Sequence, residues 1–109
     1  MAGKIRAIVK RPDEQYGHMT NISASLENLQ RIVGGPVQAV NFGTFLVLCN
    51  EEGKLRGLDR NFRMGVMPFS SQLVGTVIVI GQGGEDFADF TDVPIDFKVW
   101  KSLLKSWGN

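Results

Sequence analysis

The residues with the most chemical capacity in this chain lie between positions 50 and 63, in the run N-E-E-G-K-L-R-G-L-D-R-N-F-R. Lys54, Arg56, Arg60 and Arg63 stand there with Asp59 as the only acid among them. A guanidinium presents a planar fork that fits phosphate or carboxylate two bonds at a time. Asn50 opens the run and Asn61 lies within it, offering donors and acceptors for ribose or base edges, and Tyr16 is available as a stacking face. The expected ligand-binding set is therefore Tyr16, Asn50, Lys54, Arg56, Arg60, Asn61 and Arg63. Its chemistry is the capture of an anionic guest. The plainer alternative is a solvated surface, because a site exists only where such groups meet in one concavity.

Other chemistry is thinly represented. The sole histidine, His18, has no cysteine or second histidine near it in sequence, and a zinc site normally needs three or four such ligands. No serine sits in a G-x-S-x-G setting, so no catalytic residue and no metal ligand is assigned. Gly81-Gln-Gly-Gly84 follows a strand pattern, yet Glu85-Asp-Phe-Ala-Asp89 follows it where a phosphate-capping helix would be needed. The acids Glu85, Asp86, Asp89, Asp92 and Asp96 do not match a calcium loop and read as a solvated rim. Trp100 and Trp107 read as core anchors.

Composition narrows the class further. Twelve basic against eleven acidic side chains leave almost no net charge, which removes the electrostatic footprint of a duplex-binding protein. No apolar run approaches the length of a membrane span. One cysteine, Cys49, inside an apolar run, reads as a small buried hydrophobe in a reducing compartment. The expectation is a soluble cytoplasmic protein without a cofactor. With 109 residues, a single domain over residues 1–109 can bury roughly two thirds of its unfolded surface.

These side chains must be positioned by elements that the patterning indicates. Residues 4–10 alternate basic and apolar and form a first strand, stopped by Pro12. Leu26, Leu29, Ile32 and Val33 recur at helical spacing, predicting a helix over 23–33 capped by Asn21, Ser23 or Ser25 and ended by Gly34-Gly35-Pro36. Residues 37–42 and 44–49 read as a hairpin whose second strand is apolar on both faces, hence central. Residues 50–53 read as a turn, 55–73 as a packed irregular segment, and 74–80 as the clearest strand. Phe97, Trp100, Leu103, Leu104 and Trp107 then fall on one helical face. The expected fold is α+β: a small, mostly antiparallel sheet of about four strands with two helices, in the order β-α-β-β-β-α.

Four segments carry a family resemblance: L-E-N-L-Q-R-I-V-G-G at 26–35, L-C-N-E-E-G-K-L-R-G-L at 48–58 with Asn61, the strand at 74–80, and F-T-D-V-P at 90–94 before the tryptophan-bearing helix. Across nearly its whole length the chain resembles a small domain-of-unknown-function family spread through phages, prophages and mobile elements of Gram-positive bacteria. The resemblance implies no catalytic residues. It implies an accessory protein of a virus or mobile element, a setting in which small proteins block host defence. The leading expectation is a non-enzymatic protein that sequesters a phosphate-bearing nucleotide signal of anti-phage defence. The alternative is a protein-interaction module that directly inhibits a host enzyme or defence effector. A homo-oligomer is expected, with Val66, Met67 and Phe69 around Pro68 available to cover a subunit contact.

Overall fold

Strands that are apolar on both faces need a cover on each side, and that requirement organises this chain. The computed structural model describes residues 3–82 and 90–109. Its elements, in chain order, are β1 (Lys4–Lys10), β2 (His18–Ser23), α1 (Leu26–Val33), β3 (Val37–Asn41), β4 (Leu46–Asn50), β5 (Arg60–Met64), β6 (Ser71–Val74), β7 (Val77–Gln82), β8 (Phe90–Thr91) and α2 (Phe97–Ser106). The main sheet runs β2-β1-β7-β4-β3, with β8 added beside β7, and every pairing is antiparallel. β5 and β6 form a separate antiparallel hairpin.

Alternation along the strands divides the core into two layers. Ile8, Val47, Val77 and Val79 face one side, where α2 and the β5–β6 hairpin bury them through Trp100, Leu104, Trp107, Phe62 and Leu73. Ala7, Val9, Leu46, Leu48, Ile78 and Ile80 face the other, under Leu29 and Val33 of α1. Trp100 is the hub of the first layer, edge-on to Phe62 at 5.5 Å and to Phe45 at 6.2 Å between ring centroids. Its Nε1 donates to the Tyr16 carbonyl at 2.8 Å, so the indole is both packed and satisfied.

The α+β class, the two helices and the antiparallel sheet agree with the sequence patterning. The first strand occupies its expected residues, and the two apolar strands, β4 and β7, are neighbours in the sheet. The first helix is shorter than expected, because Ser25 is its N-cap and accepts a bond from the Asn28 N–H at 3.2 Å. Gly34, in the left-handed region at φ 84°, ends it as anticipated.

The strand count is corrected: among the described residues there are six strands in the main sheet and two in the hairpin, where about four were expected. The order is β-β-α-β-β-β-β-β-β-α. β2 is an edge strand in which only Ile22 is fully buried, so its apolar pattern is faint. The segment 55–73, expected to be irregular, contains β5 and most of β6, and the register between those strands shifts between Arg60 and Arg63. That irregularity breaks the period-two pattern on which strand recognition depends. The expected strand over 74–80 is likewise two elements, divided at Gly75, whose φ of 72° a side chain rarely adopts. Of the acidic segment, Glu85, Asp86 and Asp89 lie outside the described residues, as do Gly83 and Gly84. Asp92 accepts the Arg6 N–H at 2.8 Å, and Asp96 occupies the N-cap position of α2.

Removing the hub should therefore cost far more than removing an exposed neighbour on the same helix. Trp100→Ala is expected to destabilise the protein by about 3–5 kcal/mol. Val99→Ser, at a side chain 50% exposed, should stay within about 0.5 kcal/mol. Urea denaturation followed by far-UV circular dichroism measures both.

Candidate functional site

The polar run at 50–63 folds into a turn over 51–57, a two-residue connection and then β5. Asn50 is 5% exposed. Its Nδ2 donates to the Val33 carbonyl at 3.2 Å and its Oδ1 accepts the Glu52 N–H at 2.8 Å, which fastens the end of α1 to the turn. Arg56 Nη1 donates to the Gly34 carbonyl at 2.8 Å, a cation at a helix C-terminus, where the dipole favours it.

Asn61 serves as a structural pin. Its Nδ2 donates to the carbonyls of Lys10 at 2.8 Å and Gly75 at 2.7 Å, while its Oδ1 accepts from Lys10 Nζ at 2.6 Å. These bonds tie the start of β5 to the end of β1. Burial holds the Lys10 amine below the ordinary lysine value, partly opposed by Glu14 and Asp13. The Lys10 ammonium also lies 5.7 Å from the centroid of Phe62.

The remaining expected ligands point to different places. Tyr16 lies against α2, with Lys101 Nζ and Lys105 Nζ 5.9 and 5.7 Å from its ring centroid. Arg60 is exposed at the start of β5. Arg63 exchanges backbone bonds with the Asn109 side chain, at 3.1 and 2.8 Å, and its guanidinium reaches Met67 Sδ at 3.6 Å. Of the seven side chains, Asn50 and Lys54 line one cleft, of about 210 Å³, together with Gln38, Cys49, Ser71 and Gln72, and the other five are not on its walls. That is small beside the roughly 300–1,000 Å³ of drug-sized ligand sites. Burial pushes the Cys49 thiol up, Lys54 opposing weakly, so the thiol is a buried hydrophobe in character.

What the structure brings together instead is the tip of the hairpin. Val66, Met67 and Phe69 are 59%, 70% and 88% exposed, around a cis Met67–Pro68 peptide. The tip borders an open cleft of about 560 Å³ with Arg63, Gln72, Trp107 and Asn109 on its walls. Below the tip the hairpin is fixed by Asn61 to β1, by Asn109 to the end of α2, and by Gln72 Nε2, which donates to the Phe62 carbonyl at 3.2 Å. Residues 60–82 contain no acidic side chain, and Arg60 and Arg63 are both exposed, so the hairpin surface is apolar at its end and cationic along β5.

A sequence pattern shared by a protein family matches residues 5–103 of this architecture. The chain belongs to the family described as a domain of unknown function, DUF3846. The matched region takes in the core except Leu104 and Trp107, and it includes the whole β5–β6 hairpin, so the hairpin is part of the DUF3846 domain. No curated protein and no solved structure matches the chain.

Two features escaped the sequence. Lys101 and Lys105 are four residues apart and so share a helix face, but their approach to Tyr16 depends on a loop 85 and 89 positions distant (101 − 16 and 105 − 16). His18 Nδ1 meets Glu14 Oε2 at 2.9 Å, and the other Glu14 oxygen accepts the Arg11 N–H at 3.0 Å. Burial acts to raise the Glu14 carboxyl, but the Arg11 N–H and His18 outweigh it and hold it below the usual carboxylate range. Among the described residues no group of acidic, histidine and cysteine side chains is placed to hold a metal ion, and no helix is long and apolar enough to cross a membrane.

If Asn61 is a pin, its loss must appear in stability. Asn61→Ala leaves Lys10 Nζ and two carbonyls without partners and should cost about 2–4 kcal/mol, whereas Arg60→Ala should cost under about 0.5 kcal/mol. The Lys10 amine titrates lower in the folded than in the unfolded chain. Between those two values the unfolded chain holds more protons, so the Lys10 contribution to stability rises with pH. Lys10→Met should remove that alkaline slope. Urea midpoints measured at neutral and alkaline pH check both expectations.

Proposed function

We propose that this protein is a non-enzymatic interaction module that docks through the β5–β6 hairpin onto another protein. The observation that carries the reading is the exposure of Val66, Met67 and Phe69 on a hairpin whose base is fixed to the rest of the fold. Large apolar side chains held together in water favour burial in a partner, at about 25 cal/mol for each Å² covered. Arg60 and Arg63, in a stretch that carries no acid from residue 60 to residue 82, suit a partner whose apolar pocket is rimmed by carboxylates, which adds steering and register. In the phage or mobile-element setting implied by the resemblance, that partner is a host enzyme or defence effector met in the cytoplasm. A free thiol such as Cys49 persists in that compartment.

Sequestration of a nucleotide signal, the leading expectation from sequence, asks for guanidinium and amide groups converging on one guest. Asn50, Arg56 and Asn61 are instead engaged with backbone, and Tyr16 stands beside α2. Support for the docking reading is accordingly greater.

A photo-reactive phenylalanine analogue at position 69 should crosslink a host protein with an acidic-rimmed apolar surface. Phe69→Ser and the pair Arg60→Ser, Arg63→Ser should each lose that partner, with Phe69→Ser shifting stability by less than about 0.5 kcal/mol. Calorimetry against cyclic nucleotides and ADP-ribose derivatives should register no binding. Tight binding in that panel, with the ligand recovered intact, would overturn the docking reading in favour of sequestration.

A further inference from the structure

Among the described residues β3 is the last strand on its side of the sheet, with β4 as its neighbour. Two bonds bracketing the β3–β4 ladder show which backbone groups face outward. The Phe42 N–H donates to the Phe45 carbonyl at 2.9 Å, and the Glu51 N–H donates to the Pro36 carbonyl at 2.7 Å. Bonded and non-bonded pairs alternate along an antiparallel ladder. With Gln38 opposite Cys49 and Val40 opposite Val47, the even-numbered residues bond to β4. The N–H and C=O groups of Val37, Ala39 and Asn41 therefore point to the open edge.

Among the described residues, nothing on the strand itself opposes pairing. The strand V-Q-A-V-N carries neither charge nor proline, the usual means by which edges are blunted. Concavities flank it on both faces. On one, Val37 and Ala39 line an apolar groove of about 290 Å³ with Leu26, Leu48 and Phe90. On the other, Gln38 and Val40 border the polar cleft that holds Lys54 and Gln72. A strand laid beside β3 would send successive side chains alternately into the two.

We propose that this edge takes β3 of a second copy of the chain, antiparallel about a two-fold axis at Ala39. Ala39 of one copy exchanges backbone bonds with Ala39 of the other, and Val37 does so with Asn41. β3 supplies the side chains that its own flanks call for. On the face that carries the exposed Leu26, Ala39 meets Ala39 and Val37 meets Asn41, Gln38 meets Val40 on the polar face, and no charge on either strand repels its symmetry mate. The two sheets become one, and β3 is an edge no longer. The contact lies apart from the hairpin tip, so it stands or falls independently of the docking reading.

Sedimentation velocity over a wide range of protein concentration should show a monomer–dimer equilibrium. Ala39→Pro removes the central outward donor without touching a bond to β4, and should weaken dimerisation at least about ten-fold. Ala39→Lys, which sets like charges against each other across the axis, should do the same and decides the matter if the proline variant misfolds. Phe69→Ser should leave the dimer intact. A wild-type chain that stays monomeric, or Ala39 variants that dimerise as tightly as wild type, would overturn the proposal. A dimer abolished by Phe69→Ser but retained by the Ala39 variants would place the contact at the hairpin and overturn it equally.

Discussion

A sheet whose central strands are apolar on both faces cannot be stable with one side in water, and most of this molecule follows from that demand. The eight residues of α1 cover one face. The ten residues of α2 do not suffice for the other, and Phe62, Met64 and Leu73 of the β5–β6 hairpin complete the cover. A two-stranded hairpin is marginal by itself, so it has to be attached. The attachment is polar: Asn61 to β1 and the 75 carbonyl, and Asn109 to Arg63, while Gln72 ties β6 to Phe62 within the hairpin. The amides that give the segment its binding-site appearance are the means by which a covering layer is held in place.

The Lys10–Asn61 contact shows what such an attachment requires. An ammonium taken out of water loses solvation that a neutral amide only partly restores, which is why its amine is held low. The Phe62 ring and the more distant Asp13 and Glu14 act to keep the charge. In return, one side chain closes three bonds among β1, β5 and the β6–β7 junction, fixing their mutual register. Leaving any one partner unmatched is costlier than the bond itself is favourable, so the arrangement behaves as a unit.

How much of this was legible depended on whether a residue's role was set locally. β1, the end of α1, the β3–β4 hairpin and α2 are written in patterns of a few residues: alternation, a glycine in the left-handed region, a heptad-like apolar face. β2 is an edge strand with one fully buried residue, and β5 is interrupted by a register shift, so neither presents enough of its period to be recognised. The seven expected ligands were chosen by side-chain type, and type does not say whether an amide faces a ligand or a carbonyl. Asn50 and Asn61 find backbone partners 17, 51 and 14 positions away, a pairing that only the folded topology creates. Met67 and Phe69 stand in a segment whose apolar residues read as packed, yet with Val66 they are exposed at the hairpin tip, because apolar type alone does not say whether a side chain meets the core.

Once both faces are covered, the places where the chain can still gain free energy from a partner are those the covering leaves open. One is the hairpin tip. Its strands are pinned at the base, and Gly65, where an added Cβ would lie 3.2 Å from the Phe69 carbonyl, keeps the end tight, so Phe69 cannot be folded back into the core without breaking those bonds. Another is the outer side of β3, where among the described residues no protein group meets the backbone donors and acceptors of Val37, Ala39 and Asn41. The two differ in kind: an apolar end gains by desolvation and tolerates partners of varied shape, whereas a strand edge gains by directed bonds and demands another strand in register. In the dimer proposed above, two copies joined through the edge would present two hairpin tips to a target. That raises the effective affinity for any target able to engage both tips, without a further contact within either copy.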